Sequence, residues 1–174
     1  RDLTTKILGF SELKINSVAA QMSRGKLEKS VAISLSAFGD TLSKLCMDIC
    51  LYMGQDYDFI SFPNDLTTGS SIMPHKKNPD LFELARAKFN MIKGLPNQLT
   101  LLTSNLPSGY HRDFQQAKGA IIESINETKA CLDILLLSLP KIKVSNNITD
   151  QKKYDHLFTV ESLNKEVLNG NIFR

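Results

Sequence analysis

Two stretches of the chain concentrate side chains that can do chemistry. The first is Gly69-Ser70-Ser71-Ile72-Met73-Pro74-His75-Lys76-Lys77-Asn78-Pro79-Asp80. Gly69 permits unusual backbone angles or a close approach to a ligand. Two hydroxyls, two ammonium groups and an amide follow it, just ahead of a helix start, which itself favours anions. This donor set suits a carboxylate or a phosphate. The spacing is not that of a Walker P-loop, which needs Gly-x4-Gly-Lys. The residues alone leave a second reading open, in which Asn78 only caps the helix and the lysines are solvated charge.

The second stretch is Leu106-Pro107-Ser108-Gly109-Tyr110-His111-Arg112-Asp113-Phe114-Gln115-Gln116-Ala117-Lys118. Its phenol, imidazole, guanidinium, amide and ammonium groups also precede a helix. Taken alone, it reads equally well as an ordinary polar helix start, with His111 as a surface histidine.

These loops need rigid elements to hold them. Leu27, Val31, Leu35, Phe38, Leu42, Leu45, Ile49 and Tyr52 follow one another at steps of four and three, an a/d stripe. The spacing predicts a helix over 26–53, roughly 40 Å long at the usual rise, which needs neighbours of similar length. Gly54 is its stop signal. Residues 55–78 form a long connection, and such connections are often functional. Asn78-Pro79-Asp80 then reads as N-cap, first helical position and favourable dipole partner. Leu81, Leu84, Phe89, Ile92, Leu95, Leu99 and Leu102 carry an apolar face onward, with a kink expected at Gly94-Leu95-Pro96. A further helix is predicted over 113–139, with Ile121, Ile125, Thr128, Leu132, Leu135 and Leu139 on one stripe and Pro140 as its end. A short helix ends at Gly9, and another runs from a Thr159 cap to Leu168. Residues 10–25 carry no strong period, and no strand is expected. The reading is all-α.

Bulk properties agree. The 174 residues are 42% hydrophobic and 22% charged, enough for one domain with a sizeable core and unlike a low-complexity chain. A net charge of +3 is too small to argue for nucleic acid, and no run reaches transmembrane length. Cys46 and Cys50 lie four apart on a helix but lack histidine partners at metal spacing. They and Cys131 read as small core residues in a reducing, cytoplasmic compartment. The chain starts at Arg1 without a Met and ends at Asn171-Ile172-Phe173-Arg174. The expectation is a piece of something longer.

Residues 69–79 match Gly-Ser-Ser-x-Met-Pro-x-Lys-x-Asn-Pro, the signature of the fumarase/aspartase superfamily, at every fixed position. Lys76-Lys77-Asn78-Pro79-Asp80, followed by Glu83 and Arg86, looks like the C-terminal part of the argininosuccinate lyases. Tyr110-x-Arg112-Asp113-x-Gln115-x-x-Lys118 is similar to their second-loop pattern. Arg1-Asp2, Leu8-Gly9-Phe10 and Asn16-Ser17 resemble their stretch before the long helix. His75 is shared with adenylosuccinate lyases, the nearest rival. Ser23-Arg24-Gly25-Lys26 departs from the family, which usually has Ser-Asp-Arg-Asp there.

The resemblance implies a long-helix bundle of the fumarase/aspartase type, present as a partial chain, and a homotetramer whose active sites combine segments of three subunits. Residues 1–142 would belong to the central bundle, and 143–174 would begin a small helical C-terminal domain. The implied reaction is reversible β-elimination of argininosuccinate to arginine and fumarate, in arginine biosynthesis. Ser70 would remove the carbon proton. Lys76 would assist it and stabilise the resulting dianion, and Asn78 would hold a substrate carboxylate. Tyr110, Gln115 and Lys118 would bind the rest of the substrate. Glu83 resembles the carboxylate that raises the basicity of the family's catalytic histidine. None of His75, His111 and His156 matches that histidine, which lies upstream in the family, so these residues alone are expected to be inactive. No metal, organic cofactor, membrane or nucleic-acid partner is implied. A structural, crystallin-like relative is the non-enzymatic alternative.

Overall fold

A computed structural model of the chain describes residues 1–73 and 75–171. Pro74 of the first loop and the final residues Ile172, Phe173 and Arg174 lie outside the described residues. The elements in chain order are α1 (Asp2–Ile7), α2 (Ser17–Met22), α3 (Lys26–Tyr52), β1 (Ile60–Ser61), α4 (Asp80–Ile92), α5 (Leu95–Leu102), α6 (Phe114–Ser138), β2 (Lys143–Val144) and α7 (Thr159–Leu168). Single 3₁₀ turns occupy Asn64–Leu66, Leu139–Lys141, Ile148–Asp150 and Lys152–Tyr154.

The all-α reading holds, with one exception. β1 and β2 pair antiparallel, Ile60 opposite Val144 and Ser61 opposite Lys143. Two-residue strands carry no periodicity, so the sequence has no signal for them. Residues 10–25 also contain a helix, α2, whose Asn16 side chain accepts from the Ala19 backbone N–H at 3.0 Å. That Asn was its only sequence cue.

Three long segments form the body. α3 packs against α4, α5 and α6. Phe62, Phe82, Phe89, Cys46, Ile49, Cys131 and Leu135 form the main core, and Ala32, Leu95, Leu99 and Ala117 a second one. The buried face of α3 is Ala32, Gly39, Ser43, Cys46 and Ile49, rotated from the predicted stripe. Leu35, Leu42 and Leu45 sit at the edge of the core, whereas Leu27, Val31 and Phe38 are exposed. The reason is close packing. A Cβ on Gly39 would lie 3.1 Å from the Phe89 carbonyl oxygen of α4, so small residues bring the two helices together, Leu27, Val31 and Phe38 face away, and Ile49 alone of the predicted stripe is fully buried.

The other predicted stripes hold in part, with Phe89, Ile92, Leu95, Leu99, Thr128 and Leu135 buried as expected. In α4 the buried residues are Phe82, Ala85, Phe89 and Ile92, and Leu84 is exposed. In α6 they are Ala117, Thr128, Cys131, Leu135 and Ser138, leaving Ile125 exposed. The expected kink at Gly94 is a break: α4 ends at Ile92 and α5 starts at Leu95, with Pro96 in its first turn. The α-helix ends at Ser138, as Pro140 led one to expect, and Pro140 itself sits inside the single 3₁₀ turn that follows, Leu139–Lys141. The first helical positions accept Pro because their N–H groups lack intrahelical partners anyway.

Candidate active site

The first loop stands on a neck. Thr68 and Asn78 form an isolated antiparallel bridge: the Asn78 N–H donates to the Thr68 carbonyl at 2.8 Å, and the Thr68 N–H donates back at 3.3 Å. The Thr68 hydroxyl also donates to the Asp80 carboxylate. The segment between Thr68 and Asn78 therefore leaves and rejoins the body at one hydrogen-bonded neck. This corrects the reading of Asn78 as N-cap. Its backbone is committed to the bridge, and a residue before proline is held in extended geometry. Pro79 takes the cap position, and its carbonyl accepts from the Phe82 and Glu83 N–H groups at 2.9 and 3.0 Å.

Inside the loop, the Lys76 N–H donates to the Met73 carbonyl at 3.0 Å. The Ile72 and Met73 N–H groups point at Ser70 Oγ, at 3.3 and 3.2 Å. The Ser70 oxygen thus sits in a local nest of backbone donors, the arrangement that stabilises developing negative charge.

Lys76, Asn78 and Glu83 line one cavity of about 760 Å³ between the loop, the end of α3 and the 55–61 segment. His75 and Lys77 line it as well. The cavity brings cationic groups opposite Glu83 on the first turn of α4. Ser70 is not among its lining residues. Sequence reasoning missed the far wall, which includes Cys50, Met53, Asp56, Asp58 and Ser61. The only hint was the length of the 55–78 connection. That wall is tied to the segment after α6. The Ser145 hydroxyl donates to the Asp58 carbonyl at 2.6 Å, and Lys153 Nζ donates to the Asp56 carbonyl at 2.8 Å. Burial pushes the Cys50 thiol above its usual pKa, with the Glu83 charge adding to the effect and Arg86 opposing it.

The second loop is a separate cluster. The Gln115 amide donates to the Tyr110 hydroxyl at 3.5 Å, and His111 Nε2 lies 2.8 Å from the Pro107 carbonyl oxygen. Gln115 and Lys118 line a shallow cleft of about 550 Å³ along α6. No hydrogen bond or ion pair among the described residues joins this loop to the first. Within the chain, then, Ser70 adjoins the cavity of Lys76 and Asn78 through Met73, whose N–H donates to it and whose carbonyl accepts from Lys76, while the second-loop donors form a separate cluster. Among the described residues, no three His, Cys, Asp or Glu side chains gather as a metal site. No helix there is long and apolar enough to cross a membrane.

Comparison with known proteins places this geometry in context. Over all 174 residues the chain is 49% identical to an argininosuccinate lyase of Parabacteroides distasonis and 47% identical to one of Bacteroides thetaiotaomicron. Against an argininosuccinate lyase of Stenotrophomonas maltophilia it is 41% identical over 135 residues, which is 78% of this chain and 31% of that protein. The first two matches cover 39% of each relative, so the chain spans about two fifths of the length of the curated relatives it matches. The family model described as lyase matches residues 3–94, a span that holds α2 to α4, all but the first residue of α1, the signature loop and Glu83. The chain belongs to this lyase family.

Proposed function

We propose that the protein containing this chain is an argininosuccinate lyase, which eliminates fumarate reversibly from argininosuccinate to leave arginine. The observation that carries this reading is the shared cavity of Lys76, Asn78 and Glu83, in a chain similar along its whole length to argininosuccinate lyases.

Ser70 removes the proton from the carbon next to a substrate carboxylate. A serine hydroxyl is a weak base at neutral pH, so its environment must help. The two N–H groups at Ser70 Oγ lower the cost of its oxyanion, and Lys76 adds a cation. Proton removal leaves charge on the adjacent carboxylate, which Lys76 stabilises while the Asn78 amide holds a carboxylate in place. Tyr110, Gln115 and Lys118 bind the remainder of the substrate. Glu83 raises the basicity of a histidine supplied by chain outside residues 1–174. An acid then protonates the leaving nitrogen, and fumarate departs.

The separation of the two loops supports an active site completed by other subunits, as does the exposed apolar edge of α3. Leu27 is 65% exposed, Val31 44% and Phe38 41%, a surface that suits neighbouring long helices. We read the assembly as a cytoplasmic homotetramer, with residues 1–142 in the central bundle and 143–174 beginning a small C-terminal domain.

The test uses full-length protein and follows fumarate absorbance. Argininosuccinate should release fumarate and adenylosuccinate should not; the reverse result would make the protein an adenylosuccinate lyase. Ser70→Ala should lower kcat by about 10²–10⁴-fold, the span of a lost general base. An unchanged kcat would remove Ser70 from the mechanism.

A further inference from the structure

The segment in which the chain departs from its family, Ser23-Arg24-Gly25-Lys26, takes no part in the reaction above. It forms one wall of a cavity of about 370 Å³, and the other wall is the start of the second loop, residues 106–109. Three of the lining side chains, Arg24, Lys26 and Lys29, are cationic, and none is anionic. None of the three takes part in an ion pair among the described residues. The nearby Glu28 carboxylate is engaged, accepting from the Gly25 N–H at 2.7 Å. Three unpaired cations repel one another, so a cavity of this kind gains from an anion.

Gln21 flanks the cationic groups. It also lines the cavity, and its Nε2 is the one buried side-chain polar atom without a hydrogen-bond partner among the described residues. Buried donors of this kind are rare, because leaving one unmatched is costly. The remaining wall is mixed, with Leu106 and the Phe114 ring as its large apolar groups and the Thr103 and Ser108 side chains among the rest. That ring is held in place. The Arg24 guanidinium stacks over it at 5.3 Å, and Gly25, with φ +83°, packs so closely that a Cβ there would lie 2.8 Å from Phe114 Cε1. A stacked guanidinium still presents its edge N–H groups to an acceptor.

We propose that this cavity is a second anion site, one that takes a small dicarboxylate. Its carboxylates meet Arg24, Lys26 and Lys29, and its carbon stem lies against Phe114 and Leu106. These apolar groups favour such a ligand over bare inorganic phosphate. The proposal does not rest on the lyase reading. It does place the ligand between the start of α3 and the loop that carries Tyr110.

Calorimetric titration of full-length protein with succinate tests it, in a Lys76→Ala background so that the first loop contributes little. Binding should persist there and weaken at least about tenfold in Arg24→Gln/Lys29→Gln, a loss on the scale of charge-assisted contacts. Gly25→Ala keeps every charge but drives the Phe114 ring from its seat, and should weaken binding as well. Should Gly25→Ala not fold, the charge variant alone carries the test, with its melting temperature and helical signal checked against the parent because Arg24 and Lys29 are half-buried. Absent succinate binding, binding indifferent to the charge variant, or tighter binding of inorganic phosphate would each overturn the proposal. None of these results would bear on fumarate release.

Discussion

Asn78 shows how one residue can close a backbone bridge and still line a cavity. Its backbone closes the neck against Thr68, while its side chain lines the cavity with Lys76 and Glu83. Asn78→Ala should therefore raise KM for argininosuccinate by about tenfold or more, the worth of a hydrogen bond to a charged group. Its melting temperature should stay unchanged; a large fall would mean the amide is structural. The residue types of this site were legible in the sequence because the signature fixes them one by one. Asn78's bridge was not, because a pairing between two single residues leaves no pattern. Cys46 offers a different measurement. Burial, then the neighbouring Cys50 and Cys131, raise its thiol to about 11. The folded protein keeps this proton above pH 9, where the unfolded chain releases it. Cys46 thus contributes stability below pH 9 that declines as pH rises to about 11. Urea unfolding across that range should show a steeper decline in the wild type than in Cys46→Ala.

At the scale of elements, the helices were legible and their faces less so. Heptad spacing located α3 almost to the residue, yet the a/d stripe named the large side chains. Burial instead follows the small ones, because Gly39 lets the Phe89 backbone approach to within 3.1 Å of where its Cβ would be. Periodicity ranks residues by hydropathy and cannot see which face must be thin. Gly39→Leu should accordingly destabilise the protein by about 2 kcal/mol through overpacking, read from urea denaturation. Wild-type stability in that variant would mean that α3 and α4 separate easily. The same blindness explains Ser61 and Asp58. They reach the cavity wall through β1 and the contacts of residues 143–153, a long-range docking that no local pattern announces.

For the whole molecule, the exposed apolar side chains of α1, α2 and α3 set the expectation. Leu3, Ile7, Val18 and Leu27 are each more than half exposed, and exposed apolar side chains of this kind suit burial against other chains. Residues 1–174 expressed alone should self-associate in sedimentation velocity as concentration rises, and should release no fumarate from argininosuccinate. Turnover by these residues would contradict both the divided site and the external histidine. The neck at Thr68 and Asn78 has a last consequence for the molecule as a unit. Because residues 69–77 leave and rejoin the body at hydrogen-bonded neighbours, a single protease cut within them opens the ring without detaching either side. The nicked chain should stay one particle by size, with its helical signal intact and two bands only after denaturation. If the proposed lyase activity of the full-length protein depends on this loop, the nick would end it while the architecture survived, and protection of the scissile point would report bound substrate.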